Sequence, residues 1–98
     1  MFELKKWNMV MSGIYVMAQG YCFGNPKFSE GFYIHTSVIM KTKVDMEKEN
    51  IICITHSGSE YYLDFAEFDI RCREETKAVM GYLDVPIDVD DMFISKTI

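Results

Sequence analysis

From Tyr33 to Val44 the chain alternates without a break. Ile34, Thr36, Val38, Met40, Thr42 and Val44 fall on one side of an extended backbone. Tyr33, His35, Ser37, Ile39, Lys41 and Lys43 fall on the other, because successive strand side chains point to opposite faces. The pattern predicts one strand, with the first set facing a core and the second facing outward. Ile51 to His56 is a short, nearly continuous apolar run, the mark of a strand covered on both faces. Ser57-Gly58 is a hairpin signal, and Glu60 to Phe65 returns with Tyr61, Leu63 and Phe65 inward. Ile34 to Phe65 is thus expected to hold three consecutive antiparallel strands.

The N-terminal third predicts two more. Trp7, Met9 and Met11 alternate with polar neighbours, Ser12-Gly13 is a bulge or turn, and Ile14 to Phe23 is a second strand. Ile14, Val16 and Ala18 would share one face of it, and Gly20 would relieve a bend. Gly24-Asn25-Pro26 breaks the chain: proline fixes φ and lacks an N–H, while Gly and Asn accept positive φ. After Phe65 the period becomes helical. Cys72, Thr76, Val79, Met80 and Leu83 are spaced for one face of a helix from about Arg71 to Leu83, with Asp69 as cap and Glu74 and Glu75 near its positive end. Pro86 ends it. Met92-Phe93-Ile94 is expected to be a last edge strand or a segment that docks on a partner.

These elements predict a mainly β fold with one C-terminal α-helix: a small, bent antiparallel sheet or partly open barrel. Length supports a single domain over residues 1–98, with a β core (1–65) and a helix plus acidic segment (66–98). The ends of such a sheet are edges, which favour homo-oligomerisation.

Charge narrows the function. The net charge of −5 is uneven, at +1 over residues 1–49 and −6 over residues 50–98. Duplex nucleic acid is not an expected partner, since such binding rests on neutralising phosphates. Cys22, Cys53 and Cys72 are an odd set at spacings that make no disulfide framework, so reduced thiols and a cytoplasmic setting are expected. No apolar run approaches a membrane span, and no signal peptide is apparent.

The candidate chemistry gathers in two similar polar runs, Ile34-His35-Thr36-Ser37 and Ile54-Thr55-His56-Ser57. Neither offers the paired spacing of a structural metal site, and no metal or other cofactor is expected. Ser57 or Ser59 beside His56 or His35 can be drawn as nucleophile and base. No Gly-x-Ser-x-Gly elbow accompanies them, and a non-enzymatic protein is the expectation. Phosphate-binding glycine motifs are absent, but tight turns can still present amides to an anion. Asn25, Lys27, Tyr33, His35, Thr36, Ser37, Thr55, His56, Ser57 and Ser59 are therefore the candidate ligand-binding residues. The alternative is that Thr36 and Ser37 only satisfy neighbouring backbone groups. Among the aromatics, Tyr15, Tyr21, Tyr33 and Tyr62 are candidates for stacking on a base; most of the others must fill the core.

The run Gly24-Asn25-Pro26-Lys27-Phe28, then Gly31, Ile34-His35-Thr36-Ser37 and Thr55-His56-Ser57-Gly58-Ser59-Glu60-Tyr61 with Leu63, resembles a group of short, mostly uncharacterised proteins of phages, prophages and plasmids. Those share a glycine-proline turn, an "Ile-x-Thr-Ser" strand and a "Thr-x-Ser-Gly-x-x-Tyr-x-Leu" hairpin. The resemblance implies a mobile-element protein acting in the host cytoplasm. Small proteins of that setting often counter host defence. Two functions follow as expectations. One is sequestration of a small anionic ligand, a cyclic nucleotide signal included, with Lys27, Lys41 and Lys43 on its phosphate. The other is inhibition of a host defence protein through the acidic half, Asp64 to Asp91.

Overall fold

A computed structural model describes residues 1–96. Six strands form one mixed sheet: β1 (Phe2–Ser12), β2 (Tyr15–Phe23), β3 (Phe32–His35), β4 (Ile39–Asp45), β5 (Asn50–Thr55) and β6 (Glu60–Asp64). Their order across the sheet is β3-β2-β1-β6-β5-β4. Every pairing is antiparallel except β1 with β6, which runs parallel through Phe2–Tyr61 to Leu4–Leu63. The fold is mainly β, as the alternation predicts, and the sheet is not closed into a barrel.

The predicted strand from Tyr33 to Val44 is two strands at opposite ends of that order, with only Thr36, Ser37 and Val38 between them. A connection this short forces the sheet to curl until its two ends meet at that corner. The Thr36 N–H donates to the Ala18 carbonyl (2.8 Å) on one side, and the His56 N–H donates to the Val38 carbonyl (2.8 Å) on the other. The alternation also slips. The β4–β5 register shifts between Ile39 and Lys41, so Met40 is the extra residue of a bulge. Ile39 is therefore buried and Met40 is exposed at 63%, the reverse of the even alternation.

The bend in the first hairpin lies in β1. Its register with β2 shifts between Lys5 and Asn8, and Lys6 adopts φ 48°. Gly20 sits against this kink: a Cβ there would lie 2.8 Å from the Lys5 carbonyl oxygen and 3.1 Å from the Trp7 Cα. The kink turns Trp7 into the core, where its Nε1–H donates to the Asp64 carbonyl (2.6 Å) and its ring meets Phe68 at 5.1 Å. Ile14 does not join Val16 and Ala18 inside. It occupies the turn after Gly13 (φ 61°) and is exposed at 70%. In β5, Ile51, Cys53 and Thr55 are buried while Ile52 and Ile54 are half-buried, so one face is covered more fully than the other.

Beyond β6 the chain keeps following β1. Asp69 donates its N–H to the Trp7 carbonyl (2.9 Å), and Thr76 Oγ1 accepts from the Met9 N–H (3.2 Å). These contacts cover the part of the β1 edge that β6 leaves. Asp69 caps a 3-10 turn, Ile70–Cys72, which leads into α1 (Arg73–Tyr82). Thr76, Val79 and Met80 are its buried residues, as the helical spacing predicts. Met92 and Phe93 do not form an edge strand. They lie in a 3-10 segment, Val89–Lys96; Met92 is buried in the chain's own core and the Phe93 ring packs on Phe68 at 6.0 Å. One buried cluster links sheet, helix and this segment, from Leu4 and Trp7 to Val89 and Met92. No helix among the described residues is long and apolar enough to cross a membrane.

Candidate ligand-binding corner

The corner where the sheet ends meet collects six of the ten predicted residues: Thr36, Ser37, Thr55, His56, Ser57 and Ser59. Thr36 ends β3 by hydrogen-bonding through its side chain as well as its backbone. Its Oγ1 accepts from the Ala18 N–H (3.1 Å) and donates to the Ser37 carbonyl (2.8 Å). On the facing hairpin, Gly58 takes φ 87°, which closes the turn and lets its N–H reach the Thr55 carbonyl (2.9 Å). Thr55 Oγ1 then lies 3.0 Å from Ser57 Oγ, and Ser57 Oγ lies 2.9 Å from Ser37 Oγ. Two turns twenty residues apart are thus joined by a chain of hydroxyls. Thr36 and Thr55 are buried and committed to the fold; Ser37 and Ser57 are exposed.

Beside Ser57 opens a cleft of about 460 Å³, lined by Met1, Phe2, Ser57, Gly58, Ser59 and Glu60. This falls in the range of small-molecule sites, roughly 300–1,000 Å³. Glu60 is the one charged side chain of that lining, and it opposes a bound anion. In register, Lys41 and Glu60 flank Ile54 on the same outward face, two strands apart, with Lys41 outside the cleft lining. Alternation placed Glu60 outward, but no pattern in the sequence marked Glu60 and Phe2 as neighbours of Ser57; the parallel β1–β6 pairing brings them there.

The other candidates lie elsewhere. Asn25 is buried: its Nδ2–H donates to the Tyr61 hydroxyl (3.1 Å) and its Oδ1 accepts from the Lys27 N–H (3.0 Å). It pins the Gly24–Gly31 loop to β6, with Lys27 exposed on that loop. Burial pushes the Tyr61 phenol up, and the Asn25 hydrogen bond partly opposes this. Tyr33 and His35 project from the outer face of β3. Tyr33 meets Tyr21 edge-on at 5.0 Å, and His35 sits opposite Gln19, whose side chain donates to Asn8 Oδ1 (2.9 Å). His56 belongs to the corner through its N–H bond to the Val38 carbonyl, but its side chain is exposed. The hydroxyl partners of Ser57 are Ser37 and Thr55, not an imidazole.

All three cysteines are free thiols. Burial pushes Cys53 up to about 12 and raises Cys22 and Cys72 as well, so none is held as a reactive thiolate. Among the described residues no three His, Cys, Asp or Glu side chains are grouped to hold a metal ion. The acidic segment is largely engaged. Asp90 bonds Arg73 (2.9 Å) and Lys77 (3.3 Å), Asp88 lies 3.6 Å from Lys77, and Asp91 accepts from the Asp88 N–H (2.7 Å). Arg73 and Lys77 hold the Asp90 carboxyl below the usual carboxylate range.

No family model, curated protein or solved structure matches this chain.

Proposed function

We propose that this chain is a non-enzymatic binding protein of a mobile genetic element that sequesters a small nucleotide-derived signal at the hydroxyl corner. One observation carries the reading: two exposed hydroxyls, Ser37 and Ser57, stand 2.9 Å apart beside an open cleft of about 460 Å³. Each hydroxyl can donate and accept, so the pair can bind either kind of ligand group. Lys41, on the Glu60 face, supports the phosphate end of such a ligand, and Phe2 in the cleft wall supports its apolar part.

Native mass spectrometry of protein purified from cells, and again after incubation with cyclic and linear nucleotides, tests this. The expected result is a retained nucleotide that is lost in the Ser37→Ala/Ser57→Ala double variant while the circular dichroism spectrum stays unchanged. Glu60→Gln should tighten the same ligand by removing a like charge. A chain that stays empty across the panel, or a double variant that retains ligand fully, overturns the reading.

A second reading, inhibition of a host protein, is favoured by the exposed aromatics on and beside β3: Tyr21 at 43%, Phe32 at 59% and Tyr33 at 44%. Such side chains are the usual anchors of protein interfaces. The acidic version of this reading is weakened, because Arg73 and Lys77 already neutralise Asp88 and Asp90.

A further inference from the structure

The two free edges of the sheet are built differently. β4 carries the devices that protect an edge from pairing: a bulge at Met40 and exposed lysines at 41 and 43. β3 carries none of them. Phe32-Tyr33-Ile34-His35 has no bulge, proline, lysine or carboxylate, and its register with β2 is regular.

The hydrogen-bond phase shows what that edge presents. Thr36 donates its N–H to the Ala18 carbonyl, so the pair two residues back, Ile34 with Gly20, also faces β2. The N–H and C=O groups of Tyr33 and His35 consequently project to the free side. No backbone or side-chain partner takes them among the described residues. The side chains around them are exposed, with Phe32 at 59% and Tyr33 at 44%.

We infer that β3 pairs with the β3 of a second copy, antiparallel about a two-fold axis at Ile34. In that register Tyr33 stands opposite His35 of the second copy. Each outward N–H meets an outward C=O of the other chain, so the same patch satisfies itself on both sides. Three features favour a second copy over a foreign strand. The edge is short and ends at Thr36, where the chain turns away toward β4, so a longer strand would run past it. The self-paired register uses every outward backbone group of β3 and leaves no overhang. The contact strip has no formal charge, so the net charge of −5 on each copy does not fall on the interface. The Tyr21–Tyr33 ring pair of each copy would then abut His35 of the other, giving cross-strand ring contacts that stabilise pairing.

Sedimentation velocity over a micromolar to millimolar series tests this, together with amide exchange by NMR. The wild type is expected to dimerise, with the Tyr33 and His35 amides gaining protection as concentration rises. Tyr33→Pro removes an outward N–H but no bond to β2, a place where an edge strand tolerates proline. It should abolish the dimer. Tyr33→Lys gives β3 the guard that β4 already has and should weaken dimerisation by about tenfold or more, roughly the loss of one or two hydrogen bonds. It carries the test if the proline variant does not fold. Met40→Lys on the opposite edge should leave the dimer intact. A wild type that is monomeric throughout overturns the inference. So does a folded Tyr33 variant that dimerises as tightly as wild type, or a dimer lost in Met40→Lys alone.

Discussion

Replacing Gly20 with alanine sets two physical effects against each other. Glycine inside a strand costs roughly 0.5–1 kcal/mol relative to alanine, because more backbone freedom is lost on folding. On propensity alone, Gly20→Ala should stabilise. The tertiary structure predicts the opposite. The new Cβ would lie 2.8 Å from the Lys5 carbonyl oxygen and 3.1 Å from the Trp7 Cα, both backbone atoms that no rotamer change can move. Relief requires β1 to retreat by about 0.5 Å, and overpacking of this kind costs about 1–3 kcal/mol. β1 is poorly placed to retreat, since Trp7 is fully buried, bonded to the Asp64 carbonyl and packed on Phe68. The net expectation is a loss of about 1–2 kcal/mol, a fall in Tm of about 5–15 °C for a domain of this size. Thermal and urea unfolding followed by circular dichroism measure it. Gly81→Ala is the internal control: nothing lies within 4 Å of a Cβ in that helix, so the same substitution should stabilise by up to about 1 kcal/mol. A Gly20→Ala protein as stable as wild type, or more so, would refute the close approach of β1 to β2.

Three further outcomes follow from the same contacts. Thr36→Val keeps the shape of the side chain but strands the Ala18 N–H and the Ser37 carbonyl, and should cost about 1–3 kcal/mol in urea unfolding; Ser37→Ala, at an exposed hydroxyl, should cost under about 0.5 kcal/mol. Cys53 should react with a thiol reagent at pH 8 only as fast as the protein unfolds. Because its folded pKa of about 12 lies above the ordinary thiol value of 9.0, its contribution to stability is complete below pH 9 and lost between 9 and 12; an alkaline limb that persists unchanged in Cys53→Ala would contradict this. Asp90 has the opposite sign. Its folded pKa is depressed below 3.8, so its contribution is present above that pH and lost as pH falls through the folded value, and Asp90→Asn should flatten the acid limb of the unfolding profile.

Some of this molecule is written in local pattern. Period-two alternation marks the strands, period 3.6 marks Thr76, Val79 and Met80, and Asp69 signals the turn into α1 because its carboxylate can reach the Arg71 N–H (3.1 Å). Likewise the Ser57-Gly58 turn is local chemistry, needing only one residue at positive φ. The hydroxyl residues of the corner were legible as types, and their meeting was not. Ser37 and Ser57 come together because the sheet curls, and that curl follows from a three-residue link between strands at opposite ends of the order. The same long-range geometry moved Met40 outward, paired β1 with β6, placed Glu60 and Phe2 at the cleft, and drew Met92 into the core. Periodicity reports which face of an element avoids water, a property of near neighbours. Which edges and corners share space depends on contacts between residues distant in sequence, and these exist only once the whole sheet has assembled.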